Sequence, residues 1–377
     1  MPEPLKTLFN ADLIAAIGAH LAAHDPGFDR AGFVALASDG LDALELKARS
    51  AQITRALEAC LPGDFAAACD LMLAALHPDE VATDTAGTDA KGLRGWAVMP
   101  MADYVAARGP ADFDRSMRVL AAMTRRFSAE FAVRPFILAE PERALSWLHA
   151  WAGDASHHVR RLASEGSRPR LPWGIRLAPF VADPAPLIPL LTLLRDDPSE
   201  TVRRSVANSL NDIAKDHPDL VAGIARHWLA DAPPERARLV RHACRTLVKQ
   251  GHAGALAALG FTPPEVALAR LEIATPVVRF GGALEFAAEL RAGDGAAQRL
   301  ALDYVVHHRK ANGGLSPKVF KWRVLELAPG ATVRLARRHP MRPITTRVYR
   351  DGPHRLEIQA NGALLGGGEF VLTGADE

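Results

Sequence analysis

Cysteine is scarce in this sequence: Cys60, Cys69 and Cys244 are the only three in 377 residues, widely spaced and set among apolar or helical neighbours. An odd, scattered set makes neither a secreted disulfide framework nor a zinc signature, and it suits a reducing cytosol. No stretch approaches the roughly 18 uncharged apolar residues of a membrane span. Met1 to Ala22 also lacks the basic start and cleavage site of an export signal. The expectation is a soluble, untargeted, cytoplasmic chain with no membrane partner, acting as a monomer. Net charge is nearly absent too, at +2, but the balance is uneven. Residues 1–90 carry 5 basic against 14 acidic side chains, so the remainder is basic. Such asymmetry points to a polyanionic partner such as nucleic acid, although solvated basic helices are common. A composition of 49% hydrophobic and 23% charged residues excludes disorder, collagen and a disulfide miniprotein, and the length suits two or three domains.

Up to about Gly260 the text is helical. Ala and Leu recur at three and four in Ala11–Ala23, Leu41–Cys60, Phe65–Leu76, Asp112–Phe127 and Arg143–Ala152, separated by short Pro, Gly or Asp breaks. Residues 82–95 have turn composition and read as an exposed loop. From about Glu265 short alternating runs replace the helices: 284–290, 300–306, 318–325, 332–335, 354–358 and 368–372. Between them lie turn signals such as Asn312-Gly313-Gly314, Pro329-Gly330 and Asn361-Gly362. Six or seven short strands predict a small antiparallel sandwich, plausibly immunoglobulin-like. The expected domains are 1–262, helical, and 263–377, a β-sandwich.

The helical part repeats itself. His158-Val159-Arg160-Arg161-Leu162-Ala163 returns 43 residues later at Thr201-Val202-Arg203-Arg204-Ser205-Val206-Ala207, and more faintly at Leu239–Cys244. These periods match HEAT-type repeats, so the fold class is mainly α, a solenoid followed by the sandwich. Asp196-Asp197-Pro198-Ser199-Glu200 is a helix-start signal for the second copy.

In the aligned copies Arg161 falls on Arg204 and Glu165 on Asn208, each pair four apart on one helix face; four further on lies Asp212. Arg204, Asn208 and Asp212 thus form a polar stripe beside the apolar one of Val202, Val206, Leu210 and Ile213. On spacing alone a solvated face with local ion pairs is the favoured explanation of the stripe. Glu165 breaks a local rule, because it sits in the last turn of its helix, where the macrodipole disfavours negative charge. Pairing with Arg161 or Arg168 would offset that. The loop Ser167-Arg168-Pro169-Arg170-Leu171-Pro172-Trp173-Gly174 gathers two guanidiniums and an indole, groups that grip phosphate and offer a π-face to a cation or base. If Ser128 caps a helix, Glu130 occupies its first turn, where a carboxylate is welcome for structural reasons alone. Trp147 and Trp151, four apart, read as a packed pair.

Other chemistries lack their residues. There is no P-loop, no G-x-S-x-G elbow and no G-x-G-x-x-G after a strand. The pairs His20/His24, His157/His158 and His307/His308 have no third partner at ligand spacing, so no metal and no cofactor is assigned. Leu365-Gly366-Gly367-Gly368 reads as a turn between strands.

Four segments carry a resemblance: 95–100 (GWAVMP), 130–136 (EFAVRPF), 159–174 (VRRLASEGSRPRLPWG) and 202–219 (VRRSVANSLNDIAKDHPD). Together they resemble the bacterial AlkC family of DNA alkylation repair glycosylases, relatives of AlkD in the HEAT-like superfamily. The similarity covers nearly the whole chain, with 305–313 and 316–321 resembling the family's immunoglobulin-like appendage. It implies hydrolysis of the N-glycosidic bond of cationic 3-methyladenine and 3-methylcytosine in double-stranded DNA, without a deep base-flipping pocket. It also implies that the catalytic carboxylates fall on Glu130, Glu165 and Asp212, with Trp173 as the aromatic beside the lesion. Asp212 is assigned to water and the oxocarbenium ion, and Glu165 and Glu130 to the lesion. Arg161, Arg168, Arg170, Arg203 and Arg204 are assigned to backbone phosphates. The alternatives are a non-catalytic HEAT-repeat module that binds protein or nucleic acid, and a metal-dependent nuclease using the same acids.

Overall fold

The computed structural model describes residues 4–80, 87–344 and 347–375. Residues 82–86 of the expected loop lie outside these; 87–94 hold a turn at 90–91 closed by the Asp89–Gly92 bridge, and Leu93 bridges Leu76. The chain divides into two compact units, one ending at Asp216 and one beginning at His217.

Among the described residues the first unit has twelve α-helices. The first six are α1 (Ala11–His24), α2 (Arg30–Ser38), α3 (Leu46–Cys60), α4 (Phe65–Ala74), α5 (Val98–Arg108) and α6 (Phe113–Thr124). They are followed by α7 (Arg134–Ala139), α8 (Pro141–Trp151), α9 (His157–Gly166), α10 (Ala178–Ala182), α11 (Ile188–Leu194) and α12 (Glu200–Ile213). Starts are set by acids and amides that accept backbone N–H groups: Asn10, Asp29, Asp64 and Asp112 cap α1, α2, α4 and α6.

The 43-residue repeat is physical as well as textual. Before α9, Asp154 Oδ1 accepts the Ser156 N–H at 2.7 Å; before α12, Asp197 Oδ1 accepts the Ser199 N–H at 2.8 Å. Arg160 then reaches back to the carbonyls of Asp154 and Ala155, and Arg203 to those of Asp197 and Pro198. Arg160 also forks onto Asp197 at 2.6 and 3.1 Å, tying one repeat to the next. Val159, Leu162 and Ala163 of α9 and Val202, Val206, Leu210 and Ile213 of α12 are fully buried. Each such Val or Leu contributes about 1.5–3 kcal/mol relative to exposure.

The second unit contains α13 (Pro218–Leu229), α14 (Pro234–Ala243), α15 (Arg245–Lys249), α16 (Ala253–Ala258) and two sheets. Strands β1 (Val266–Ile273), β3 (Ala283–Ala292) and β6 (Thr332–Pro340) make one sheet in the order β1-β3-β6. The other runs β2-β8-β7-β4-β5, from β2 (Val277–Arg279), β4 (Gln298–Arg309), β5 (Leu315–Leu327), β7 (Gly352–Ala360) and β8 (Ala363–Thr373). Leu284, Phe286 and Leu290 of the first sheet share a core with Leu302, Tyr304, Val306 and Leu356 of the second. Asn361 and Gly362, at φ 46° and 79°, form the two-residue hairpin turn between β7 and β8 that their composition predicts. The Asn361 amide also pins the incoming chain, donating to Thr262 O at 2.7 Å and accepting from Ala301 N at 2.7 Å.

Two sequence readings are corrected. Leu365–Gly368 is not a turn but part of β8. A Cβ at Gly366 would lie 2.8 Å from Leu268 Cδ2 and one at Gly368 3.0 Å from Ile273 Cδ1, so the glycines admit β1 side chains against β8. Strands β1 and β2 also precede the first expected strand; the β1–β3 register shifts between Leu268 and Arg270, which interrupts the alternation.

Candidate active site

Helix α9 carries Glu165 to its final turn, as the sequence predicts, and buries it to 5% exposure. Two guanidiniums offset the unfavourable helix end: Arg168 Nη1 donates to Glu165 Oε1 at 2.6 Å, and Arg161 Nη2 lies 3.8 Å from the same oxygen. Gly166, the last residue of the helix, has no room for a side chain: a Cβ would fall 2.5 Å from Val133 Cγ1.

Asp212 occupies the corresponding end of α12 and is 2% exposed. Its Oδ2 accepts from Arg168 Nε at 2.9 Å and its Oδ1 from Lys215 Nζ at 3.1 Å. Glu130 reaches the same group from a third segment, its Oε2 accepting from Arg161 Nη1 at 2.9 Å and from Ser128 Oγ at 2.8 Å. Glu130 is not in a helical first turn. Ser128 gives its hydroxyl to Glu130 itself, residues 130–133 form turns, and α7 starts at Arg134, with Pro135 suited to that position.

The side chains therefore form an alternating chain, Glu130, Arg161, Glu165, Arg168, Asp212, Lys215, in which carboxylates 35 and 47 residues apart are linked through shared cations. Burial alone would lower the Arg168 pKa, but Glu165 and Asp212 outweigh it and raise the guanidinium above its ordinary value. Arg168 is locked at the centre of the acids, 7% exposed.

Below this chain Arg134 is completely buried. Its Nη1 donates to Gly166 O at 2.8 Å and its Nε to Ile175 O at 2.6 Å, so one side chain holds both ends of the loop that carries Arg168, Arg170 and Trp173. Burial, then the neighbouring Arg168, push its pKa down to about 10, against the opposing pull of Asp212, Glu130 and Glu165, so it stays cationic at neutral pH. Gly174 lets the loop lie on it, since a Cβ there would be 3.2 Å from Arg134 Nε. Trp173 stands at φ 63° and is 63% exposed. A left-handed backbone is rare for a bulky residue, and an exposed indole gains little by burial in return. Lys47 of α3 donates to the Trp173 carbonyl, and its Nζ lies 5.2 Å from the centre of the Phe131 ring, next to Glu130.

The remaining expected cations are dispersed. Arg170 forks onto Asp216 at 2.8 and 2.7 Å, Arg204 pairs with Glu200 at 2.8 Å on an exposed helix face, and Arg203 holds the turn before its own helix. Trp147 and Trp151 pack at 6.2 Å between ring centres, with Trp147 Nε1 donating to Asp114. Sequence reasoning missed three residues. Lys215, three after Asp212, and Arg134, four after Glu130, had a local spacing signal. Lys47 had none, being 126 residues from its partner.

Comparison with known proteins adds three findings. Residues 267–374 match the family model "Uncharacterised protein YhaZ, C-terminal Ig-like domain". Over 370 residues the chain is 34% identical to the uncharacterized protein YhaZ of Bacillus subtilis (strain 168), covering 98% of this chain and 99% of that one. It is also similar to the solved structure of the Pseudomonas fluorescens alkylpurine DNA glycosylase AlkC bound to DNA containing an abasic site analog. That match has a TM-score of 0.90 and 37% identity, over 99% of this chain and 100% of the other.

Proposed function

The chain belongs to the AlkC family of bacterial DNA alkylation repair glycosylases, and on that premise we propose that it hydrolyses the N-glycosidic bond of cationic N3-alkylated bases, 3-methyladenine and 3-methylcytosine, in duplex DNA. One observation supports this most: Glu130, Glu165 and Asp212 arrive from three separate segments and are joined through Arg161 and Arg168. A solvated polar face needs no such convergence.

The chemistry fits the leaving group. Alkylation at N3 makes the base cationic, so it departs without being protonated and little acid catalysis is needed. Positive charge then passes to the sugar, an oxocarbenium-like state that fixed carboxylates stabilise while one of them orients or deprotonates water. Asp212 is assigned to the water and the oxocarbenium ion, and Glu165 and Glu130 to the charged lesion. A carboxylate has about four acceptor positions, so Asp212 keeps capacity for a water beside its bonds to Arg168 and Lys215. Arg168 is assigned to holding the acids together, and Trp173 to contact with the lesion. Arg161, Arg170, Arg203 and Arg204 supply positive potential that allows acids to face a polyanion; of these, Arg204 is the most exposed. The sandwich, with 16 basic against 12 acidic residues over 263–377, is a second DNA-contacting part in this reading.

The test is release of free 3-methyladenine and 3-methylcytosine from methylated duplex, with alkali-labile abasic sites left behind and no effect of chelator. Strand cuts abolished by chelator with no free base would select the nuclease reading. Binding without either product would select the module.

A further inference from the structure

Three main-chain carbonyls of the segment between α9 and α10 are held by cations from elsewhere in the first unit: Gly166 and Ile175 by Arg134, and Trp173 by Lys47. Within the loop the Gly174 N–H bonds to Leu171 O and the Leu177 N–H to Pro169 O, but nothing internal to it holds the Trp173 carbonyl among the described bonds. Yet Trp173 is the residue in the left-handed region with its indole turned to solvent. An unconstrained chain would relax such a bulky residue toward negative φ. External donors on either side of it hold the backbone where it is, and Lys47 is itself set beside Phe131, the neighbour of Glu130.

We propose that Lys47 and Arg134 are positioning residues that fix the 166–175 loop so that Trp173 keeps its left-handed backbone and its indole stays exposed for a bound nucleotide. The inference rests on the glycosylase reading for its kinetic arm and not for its spectroscopic arm. Arg134 acts from the buried side and Lys47 from the exposed side. Neither is assigned contact with substrate.

The test uses the full chain labelled with 5-fluorotryptophan, which gives six fluorine resonances, one for each tryptophan in the sequence. Trp173→Phe identifies the resonance of Trp173. Lys47→Met is expected to shift or broaden that resonance and leave the other five in place. It is also expected to slow single-turnover release of 3-methyladenine about tenfold to 100-fold, the usual loss for one charge-assisted hydrogen bond. Affinity for undamaged duplex should stay within about twofold, since one displaced loop carbonyl touches no phosphate. Lys47→Arg should restore both signals, and Arg134→Lys should move the Trp173 resonance even if it also lowers stability. An unmoved Trp173 resonance in Lys47→Met overturns the proposal, whatever happens to the rate. A uniform loss of DNA affinity overturns it in favour of a plain phosphate contact. If the parental protein releases no base, the glycosylase reading fails while the resonance still decides the positioning role.

Discussion

Replacing Arg168 with Met isolates what the buried cation does. The guanidinium sits between Glu165 and Asp212, with N–O distances of 2.6 and 2.9 Å and all three side chains under a tenth exposed. At an effective dielectric near 20 and ~4 Å between charge centres, each pairing is worth about 4 kcal/mol, roughly 8 for two. Dehydrating the guanidinium costs several kcal/mol of that. Met fills similar volume without charge and leaves two acids facing each other with Lys215, the more distant Arg161 and the buried Arg134 as the cations around them. Breaking such an arrangement costs about 3–5 kcal/mol. A chain of two compact units need not unfold in one step, so the measurement is hydrogen exchange over 157–166 and 200–213, compared between Arg168→Met, Asp212→Asn and the double variant. Because removing the charge of Asp212 also removes one of the stranded acids, the double variant should recover about 1–3 kcal/mol relative to the sum of the singles. Additivity to within about 0.5 kcal/mol would refute the coupling.

Gly362→Ala should destabilise the second unit by more than about 1 kcal/mol, since φ is 79° and the new Cβ would lie 2.1 Å from Gly251 Cα; Gly313→Ala, also at 79° but in open space, should cost only about 1 kcal/mol. Equal denaturation midpoints for the two variants would refute the close approach. His308 has neither ring nitrogen bonded among the described residues, and burial, then Arg347, push its pKa down to about 3; burial and Arg337 likewise bring His339 to about 4. The unfolded chain gains protons below about pH 6.5 while these folded sites do not, so stability is full above 6.5 and falls as pH drops toward 4, by up to ~1.4 kcal/mol per pH unit for each histidine. A sandwich whose denaturation midpoint is flat from pH 7 to 5, or a His308→Phe variant with an unchanged slope, would contradict this. Arg204→Ala should weaken binding to duplex of any sequence and reduce the salt slope by about one; an equal slope would reject the phosphate assignment.

The sequence carried the parts of this fold that are local. The repeated Val-Arg-Arg run marked α9 and α12 because their core positions recur at helical spacing, and the Asp-x-Ser turns before them recur with it. Glu165 was conspicuous because it broke the rule for a helix end, and the structure supplies the compensation in Arg168. Partnerships across 31 and 44 residues, Glu130 with Arg161 and Asp212 with Arg168, leave no trace in periodicity, and only a resemblance joined those acids beforehand. Arg168, read as phosphate-facing from its loop composition, lies buried between acids because a Pro-rich loop can turn inward when a neighbour such as Arg134 binds its carbonyls. The three glycines of β8 looked like a turn because their composition cannot say that Leu268 and Ile273 need the space above them.

The central claim, that clustered acids stabilise a sugar cation as an already weakened bond breaks, is tested most directly by single-turnover excision of 3-methyladenine by Asp212→Asn. Binding to abasic-site DNA is measured alongside on the same preparation. Loss of one preorganised charge at the reacting centre should slow excision by roughly 100–1,000-fold while affinity changes little. Excision at the parental rate would contradict the account.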